Sequence, residues 1–80
     1  MLTLHLHYFA IFREQAGKPS EKHSTHASTA AELYTELQQL YDFKLPPSQV
    51  KVAINQEFCD WQQRLESGDH VAFIPPVAGG

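Results

Sequence analysis

The chain has 80 residues, of which 42% are hydrophobic and 19% charged, so we expect one small globular domain over residues 1–80. Its net charge of −3 favours basic partners, and its scattered basic residues give no indication of nucleic-acid binding. The longest apolar run, Tyr8 to Phe12, is far too short to span a bilayer, and no signal peptide precedes it. We therefore expect a cytoplasmic protein without membrane association.

The first third of the chain predicts two strands and a short helix. Residues 2–8 alternate between apolar and polar side chains, which is typical of a half-buried strand. Residues 10–16 favour a short helix that ends at Gly17. The polar residues 21–26 suit an exposed edge strand.

The main helix is predicted over residues 30–41. Thr29 and Glu32 have the spacing of a capping box, in which the Thr hydroxyl and the Glu carboxylate each bind a free N–H at the start of the helix. Apolar residues at helical spacing predict the buried face: Ala30, Leu33, Leu37, Leu40 and Tyr41.

The second half predicts three more strands. They cover residues 50–54, 57–59 and 70–74, with turns at Asn55-Gln56 and Ser67-Gly68-Asp69. The last strand is apolar almost throughout, which suits a central position in the sheet. The order of elements predicts an α+β fold, the ubiquitin-like β-grasp, with a mixed sheet and one main helix.

The final six residues, Pro75-Pro76-Val77-Ala78-Gly79-Gly80, form the tail. Two prolines end the preceding strand and keep the chain extended, and two glycines let the backbone approach another surface closely. A linker would be richer in serine and polar residues. We therefore expect a free, flexible diglycine tail that enters a narrow site on a partner and presents the Gly80 carboxylate there.

No self-contained active site is predicted. His5 and His7 share one face of the first strand, but zinc needs three or four ligands, so we expect solvent-facing histidines and no bound metal. His23, His26 and His70 show no partner in the sequence either. Cys59, the single cysteine, could be a reactive thiol, but no neighbouring base is present to lower its pKa, which favours a structural role.

The chain resembles the small, sulfur-carrying subunits of molybdopterin synthase over its whole length. The resemblance is carried by residues 9–17, 53–56, 67–73 and 73–80. The Pro-Pro-Val step separates this family from the thiamine-pathway sulfur carriers, which share the fold and the diglycine. Ala78 departs from the expected Thr or Ser and removes a hydroxyl from the tail.

The resemblance implies a carrier without a bound cofactor, in which Gly80 is the reactive residue. A ubiquitin-activating-like adenylyltransferase uses ATP to adenylate Gly80, and a sulfur donor protein supplies the sulfur of a thiocarboxylate. Gly79, Ala78, Val77, Pro76 and Pro75 then enter the large subunit, which holds the catalytic groups. There the sulfur reaches cyclic pyranopterin monophosphate and builds the molybdopterin dithiolene.

The resemblance also implies an assembly of two small and two large subunits. Exposed apolar residues near the tail are expected to dock the partner, with Phe9, Phe58 and Ile74 as candidates. Simple core packing is the alternative for these three residues. Two other functions stay open at this point: sulfur donation for thiamine thiazole synthesis, and covalent modification of proteins in the manner of ubiquitin. A plain binding module with an incidental tail is the remaining alternative.

Overall fold

The structure, a computed structural model, describes residues 1–76. Its elements follow the predicted order: β1 Leu2–Tyr8, α1 Ile11–Ala16, β2 Ser20–Thr25, α2 Ala30–Tyr41, a 3-10 turn Pro47–Gln49, β3 Lys51–Ile54, β4 Glu57–Cys59 and β5 His70–Ile74. The strands and helices predicted from the sequence are thus confirmed to within a residue or two at their ends. Residues 77–80, which hold the greater part of the predicted tail, lie outside the described residues.

The five strands form one mixed sheet in the order β2-β1-β5-β3-β4. β1 and β5 run parallel, whereas the other neighbours pair antiparallel. The first and last strands therefore lie side by side, and β5 occupies the centre, as its apolar sequence predicts. This topology, with α2 packed on one face, is the ubiquitin-like β-grasp and confirms the predicted fold.

The core lies between α2 and the inward side chains of the sheet. Alternate residues of β1 and β5 are buried, and the buried residues of α2 meet them. The largest fully buried side chains belong to Tyr8, Tyr34, Phe12, Phe73, Leu4, Leu6, Leu33 and Leu37. The alternation seen in the sequence therefore separates a covered face of the sheet from an open one.

One predicted core residue is wrong. Leu40 is 56% exposed, and Tyr34, which was not predicted, is fully buried on α2. At about 100° per residue, the buried side chains of Ala30, Leu33, Tyr34 and Leu37 fall within a sector of about 100°, whereas Leu40 lies about 20° beyond its edge. The Tyr34 hydroxyl keeps its polar end satisfied by donating to the Leu45 carbonyl at 2.7 Å.

The predicted cap of α2 is only half correct. Thr29 Oγ1 accepts a hydrogen bond from the Glu32 N–H at 3.2 Å, as a capping box requires. The Glu32 carboxylate, however, accepts from the N–H and the hydroxyl of Ser28, at 2.8 and 2.9 Å. These bonds lower the pKa of Glu32. The Glu32 carboxylate thus binds the N–H of Ser28, one residue before Thr29, whose N–H the capping box predicts as its partner.

A half-buried carboxylate, that of Glu21, ties β2 to β1 and to the end of α2. Glu21 accepts hydrogen bonds from the hydroxyls of Tyr8 and Tyr41, each at 2.5 Å. The Lys18 ammonium lies 3.4 Å from the same carboxylate. Burial opposes ionisation, but the hydrogen bonds from Tyr41 and Tyr8 and the charge of Lys18 outweigh it, so the pKa of Glu21 is lowered.

Candidate functional site

The tail begins at the middle of the sheet. Pro75 and Pro76 directly follow β5, the central strand, and Pro75 is half-buried whereas Pro76 is exposed. Tyr8 of β1 pairs with Phe73 of β5 in parallel register. Phe9, the next residue after Tyr8, therefore lies at the same end of the sheet from which the tail departs.

The side of the sheet opposite α2 is here called the open face. The pairing register and the alternation of each strand assign its residues: Thr3, His5 and His7 on β1, Ser20, Lys22 and Ser24 on β2, Lys51 and Ala53 on β3, Phe58 on β4, and His70, Ala72 and Ile74 on β5. All of these residues except Ala53 are half-buried or exposed.

Two of the three candidate docking residues are exposed aromatics. Phe9 is 49% exposed and Phe58 is 69% exposed, which excludes the core alternative for both. The Lys51 ammonium lies 5.7 Å from the centre of the Phe58 ring. Ile74 is half-buried, and it pairs with Lys51 across β3 and β5. All three residues therefore lie on or beside the open face, and their docking role stays a prediction.

A shallow depression of about 440 Å³ occupies the open face. Its lining comes from β1, β5 and the β3–β4 turn: His7, Phe9, Ala53, Asn55, Gln56, His70 and Ala72. The predicted turn at Asn55 and Gln56 is confirmed, since both residues have positive φ, at 53° and 72°. The Asn55 side chain fixes this turn by accepting from the His70 N–H and donating to Asp69, each at 3.0 Å.

Three histidines meet beside the depression and are called here the histidine cluster: His5, His7 and His70. The ring of His70 stacks on those of His5 and His7, with centroids 4.5 and 5.2 Å apart. His7 Nε2 and His70 Nδ1 share a hydrogen bond of 3.0 Å. Burial, followed by the nearby His70 and His5, lowers the pKa of His7.

His70 is exposed, as predicted, but it contacts two histidines that the sequence analysis did not bring together with it. These contacts depend on the parallel pairing of β1 with β5, which sets His5 opposite His70 across 65 positions of sequence. The expectation that His23 faces solvent is wrong, since its ring is largely buried and its Nε2 lies 2.5 Å from the Glu36 carboxylate. His26 is exposed, as expected.

Residues 1–76 contain neither a metal-binding cluster nor a membrane-spanning helix. Within that range, no group of three or more His, Cys, Asp or Glu side chains could hold a metal ion. The rings of the histidine cluster lie within 14° and 16° of parallel, so their nitrogen lone pairs do not converge on one point. None of the helices in that range is long and apolar enough to cross a membrane.

Cys59 is half-buried on the edge strand β4. Its Sγ lies 3.8 Å from the Val52 carbonyl. Burial, and then the neighbouring Asp60, raises the pKa of the thiol. Because the thiolate is the nucleophilic form, this environment disfavours a reactive role, in agreement with the structural interpretation of this cysteine.

Comparison with known proteins places the chain among sulfur carriers. The model of the ThiS family matches residues 6–80. A molybdopterin synthase sulfur carrier subunit from Mycobacterium tuberculosis is 36% identical over 83 residues, covering 100% of this chain and 100% of that protein. A protein of the same name from Haemophilus influenzae is 32% identical over 80 residues, covering 96% of this chain and 99% of that protein.

A solved structure shares the fold. It is the complex of subunits 1 and 2 of the molybdopterin-converting factor from Helicobacter pylori, in which one chain superposes with a TM-score of 0.66. The match covers 99% of this chain and 100% of that one, at 22% identity. At this identity the likeness shows the architecture alone.

Proposed function

Because the chain belongs to the ThiS family, we propose that it is the sulfur carrier subunit of a molybdopterin synthase. In this role it hands sulfur to cyclic pyranopterin monophosphate during molybdenum cofactor biosynthesis. The observation that carries the proposal is the match along the entire chain, at 36% identity, to a protein of that name. The sequence of the tail supports it, since a narrow end bearing a carboxylate suits delivery into an enclosed site.

The reactive group in this proposal is the Gly80 carboxylate. An α-carboxyl group has a pKa of about 3.5 and is ionised at neutral pH, so it resists nucleophiles until one oxygen joins a leaving group. An adenylyltransferase links that oxygen to the α-phosphorus of ATP and releases pyrophosphate. A sulfur donor protein then supplies the sulfur that displaces AMP, which leaves a thiocarboxylate on Gly80.

The catalytic groups for the transfer belong to the large subunit. This chain supplies sulfur and positions it, so it acts as a non-catalytic subunit of the transferase. The dithiolene contains two sulfurs, and each carrier delivers one, so the carrier is used twice per product. Two small and two large subunits form the proposed assembly, and we place it in the cytoplasm.

Docking in this proposal uses the end of the sheet where the tail departs. Phe9 and Ile74 lie at that end, and Phe58 lies across the open face on β4. The solved complex of subunits 1 and 2 from Helicobacter pylori supports a large-subunit partner for a chain of this fold. Burial of exposed aromatics beside the tail would hold the carrier in place while Gly80 reaches the active site.

Reconstitution tests the proposal. Carrier thiocarboxylated beforehand is mixed with the large subunit of the same organism and cyclic pyranopterin monophosphate, and molybdopterin is measured. The matched control lacks only Gly80. We expect product with the intact carrier and none with the control. A folded, thiocarboxylated carrier that binds the large subunit yet forms no product, or that instead supports thiazole synthesis, would contradict the proposal.

A further inference from the structure

The open face differs in charge from the chain as a whole. Its strands contribute Lys22 and Lys51 together with the histidine cluster, His5, His7 and His70. Within residues 1–76, no strand position on this face holds an aspartate or a glutamate. The nine acidic residues of the chain lie at other strand positions, on the helices or in the connecting segments. The strand positions of the open face therefore present neutral or cationic side chains to a partner.

The histidine cluster is arranged to take up a proton. One ring nitrogen of His7 and one of His70 are used in their mutual hydrogen bond at 3.0 Å. Their other ring nitrogens have no hydrogen-bond partner among the described residues, and both rings line the depression. A proton added to this pair creates an imidazolium with an N–H that is free to donate to a ligand in the depression.

The charges that face the cluster leave it without a counter-ion. Lys22 of β2 lies opposite His5, and Lys51 of β3 lies farther along the sheet. Asp69 precedes His70, but its carboxylate is buried and accepts from the Asn55 amide and the Glu66 N–H. The turn residues Asn55 and Gln56 are neutral. In the free protein, burial and then the neighbouring His70 and His5 lower the pKa of His7, so protonation of this ring is disfavoured.

We propose that the histidine cluster binds a carboxylate side chain of the partner, so that the open face docks an acidic protein surface and takes up protons as it does so. The proposal rests on the proposed function in taking the molybdopterin synthase large subunit as that partner. It differs from the expectation of basic partners drawn from the net charge, because the charge of the docked face decides which surface fits.

Proton uptake follows from the chemistry of the pair. A carboxylate close to an imidazole favours its charged form, so the pKa of His7 rises when the complex forms. A group whose pKa is higher in the complex than in the free protein strengthens binding at low pH. This gain in affinity is lost as the pH rises through the pKa that the group has in the complex. An apolar partner surface would act in the opposite direction, because further burial lowers the pKa of an imidazole and expels its proton.

Calorimetry with the purified large subunit tests the proposal. Binding is titrated between about pH 6 and pH 8, where imidazoles change charge, in buffers of low and high ionisation enthalpy. We expect proton uptake and, for each proton taken up, an affinity that rises by up to about tenfold for each unit by which the pH is lowered. His7→Gln and His70→Gln should remove most of this pH dependence, whereas His26→Gln, at an exposed histidine outside the cluster, should not.

A fixed charge provides a second test. His7→Lys should bind at pH 8 at least as tightly as the native protein, with less proton uptake, because its ammonium needs no protonation there. His70 is exposed, so His70→Gln remains informative even where a substitution at His7 disturbs folding.

Several results would overturn the proposal. Proton release on binding would mean an apolar partner surface, and native pH dependence in His70→Gln would place the linked proton elsewhere. Loss of binding in a chelator would mean a bridging metal ion, and self-association of the carrier at low pH would mean that a second copy occupies the face. No binding to the large subunit at any pH would overturn the proposed function itself. Sulfur transfer with pH-independent binding would overturn only this inference.

Discussion

Truncation of Phe58 should weaken partner binding without unfolding the carrier. A phenylalanine buries roughly 200 Å² when fully covered, and the 69% exposure of Phe58 leaves most of that area free for a partner. At about 25 cal/mol per Å², burial of the remaining roughly 140 Å² contributes at most about 3.5 kcal/mol. Association losses reduce this figure, so we expect Phe58→Ala to weaken binding by about 1–3 kcal/mol, or roughly 5- to 150-fold.

The stability of the variant should change little, because Phe58 is 69% exposed and lies outside the hydrophobic core. Loss of strand propensity on β4 and of the Lys51 contact should lower the free energy of unfolding by no more than about 1 kcal/mol. Urea unfolding measures this change, and calorimetry with the large subunit measures affinity. Leu40→Ala is the matched control, since Leu40 is 56% exposed but lies on α2, on the covered side of the sheet. Unchanged affinity in a folded Phe58→Ala protein would refute a docking role for this residue.

Three further predictions concern stability and chemistry. Leu37→Ala should lower the free energy of unfolding by about 2–5 kcal/mol in urea denaturation, because Leu37 is fully buried. Leu40→Ala should change it by less than about 0.5 kcal/mol, because Leu40 is exposed. Equal losses would contradict the assignment of the buried face of α2. Glu21→Gln should be less stable than the native protein at pH 7. The stability that a carboxylate with a lowered pKa contributes is lost as the pH falls through that pKa, so urea titrations at several pH values should show the difference in stability shrinking below about pH 4.3. A pH-independent difference would exclude the charge of Glu21 as its source. Cys59→Ser, thiocarboxylated beforehand, should still complete molybdopterin in reconstitution, and loss of transfer by the folded variant would give the thiol a chemical role.

Much of the fold follows from local patterns in the sequence. The alternation of residues 2–8 predicts the first strand and the face that it buries, since the side-chain period of a strand is two residues. The apolar run of residues 70–74 predicts a central strand, which β5 is. Thr29 predicts the start of α2, because its hydroxyl satisfies a free N–H. These features depend on neighbours within a few positions, which a single sequence displays directly.

The errors arise where distant parts of the chain meet. Leu40 satisfies the helical spacing, but its side chain is 56% exposed, and no local pattern in the sequence reveals how far the sheet covers the helix. The histidine cluster depends on the parallel register of β1 with β5, which brings together residues 65 positions apart, His5 and His70. Its signal in the sequence was a pair of outward histidines on the first strand and another at the start of the last strand. Pairing those strands, as the predicted fold requires, would have brought them together.

The position of the sulfur tests the central claim most directly. The carrier is co-expressed with the adenylyltransferase and the sulfur donor of its own organism, and its intact mass and its C-terminal peptide are measured. A carrier that lacks Gly80 is the control. The account predicts a mass gain equal to the replacement of one oxygen by one sulfur, located at Gly80 and absent from the control. Sulfur found on Cys59, or an unmodified Gly80 in a carrier that still supports molybdopterin formation, would contradict it.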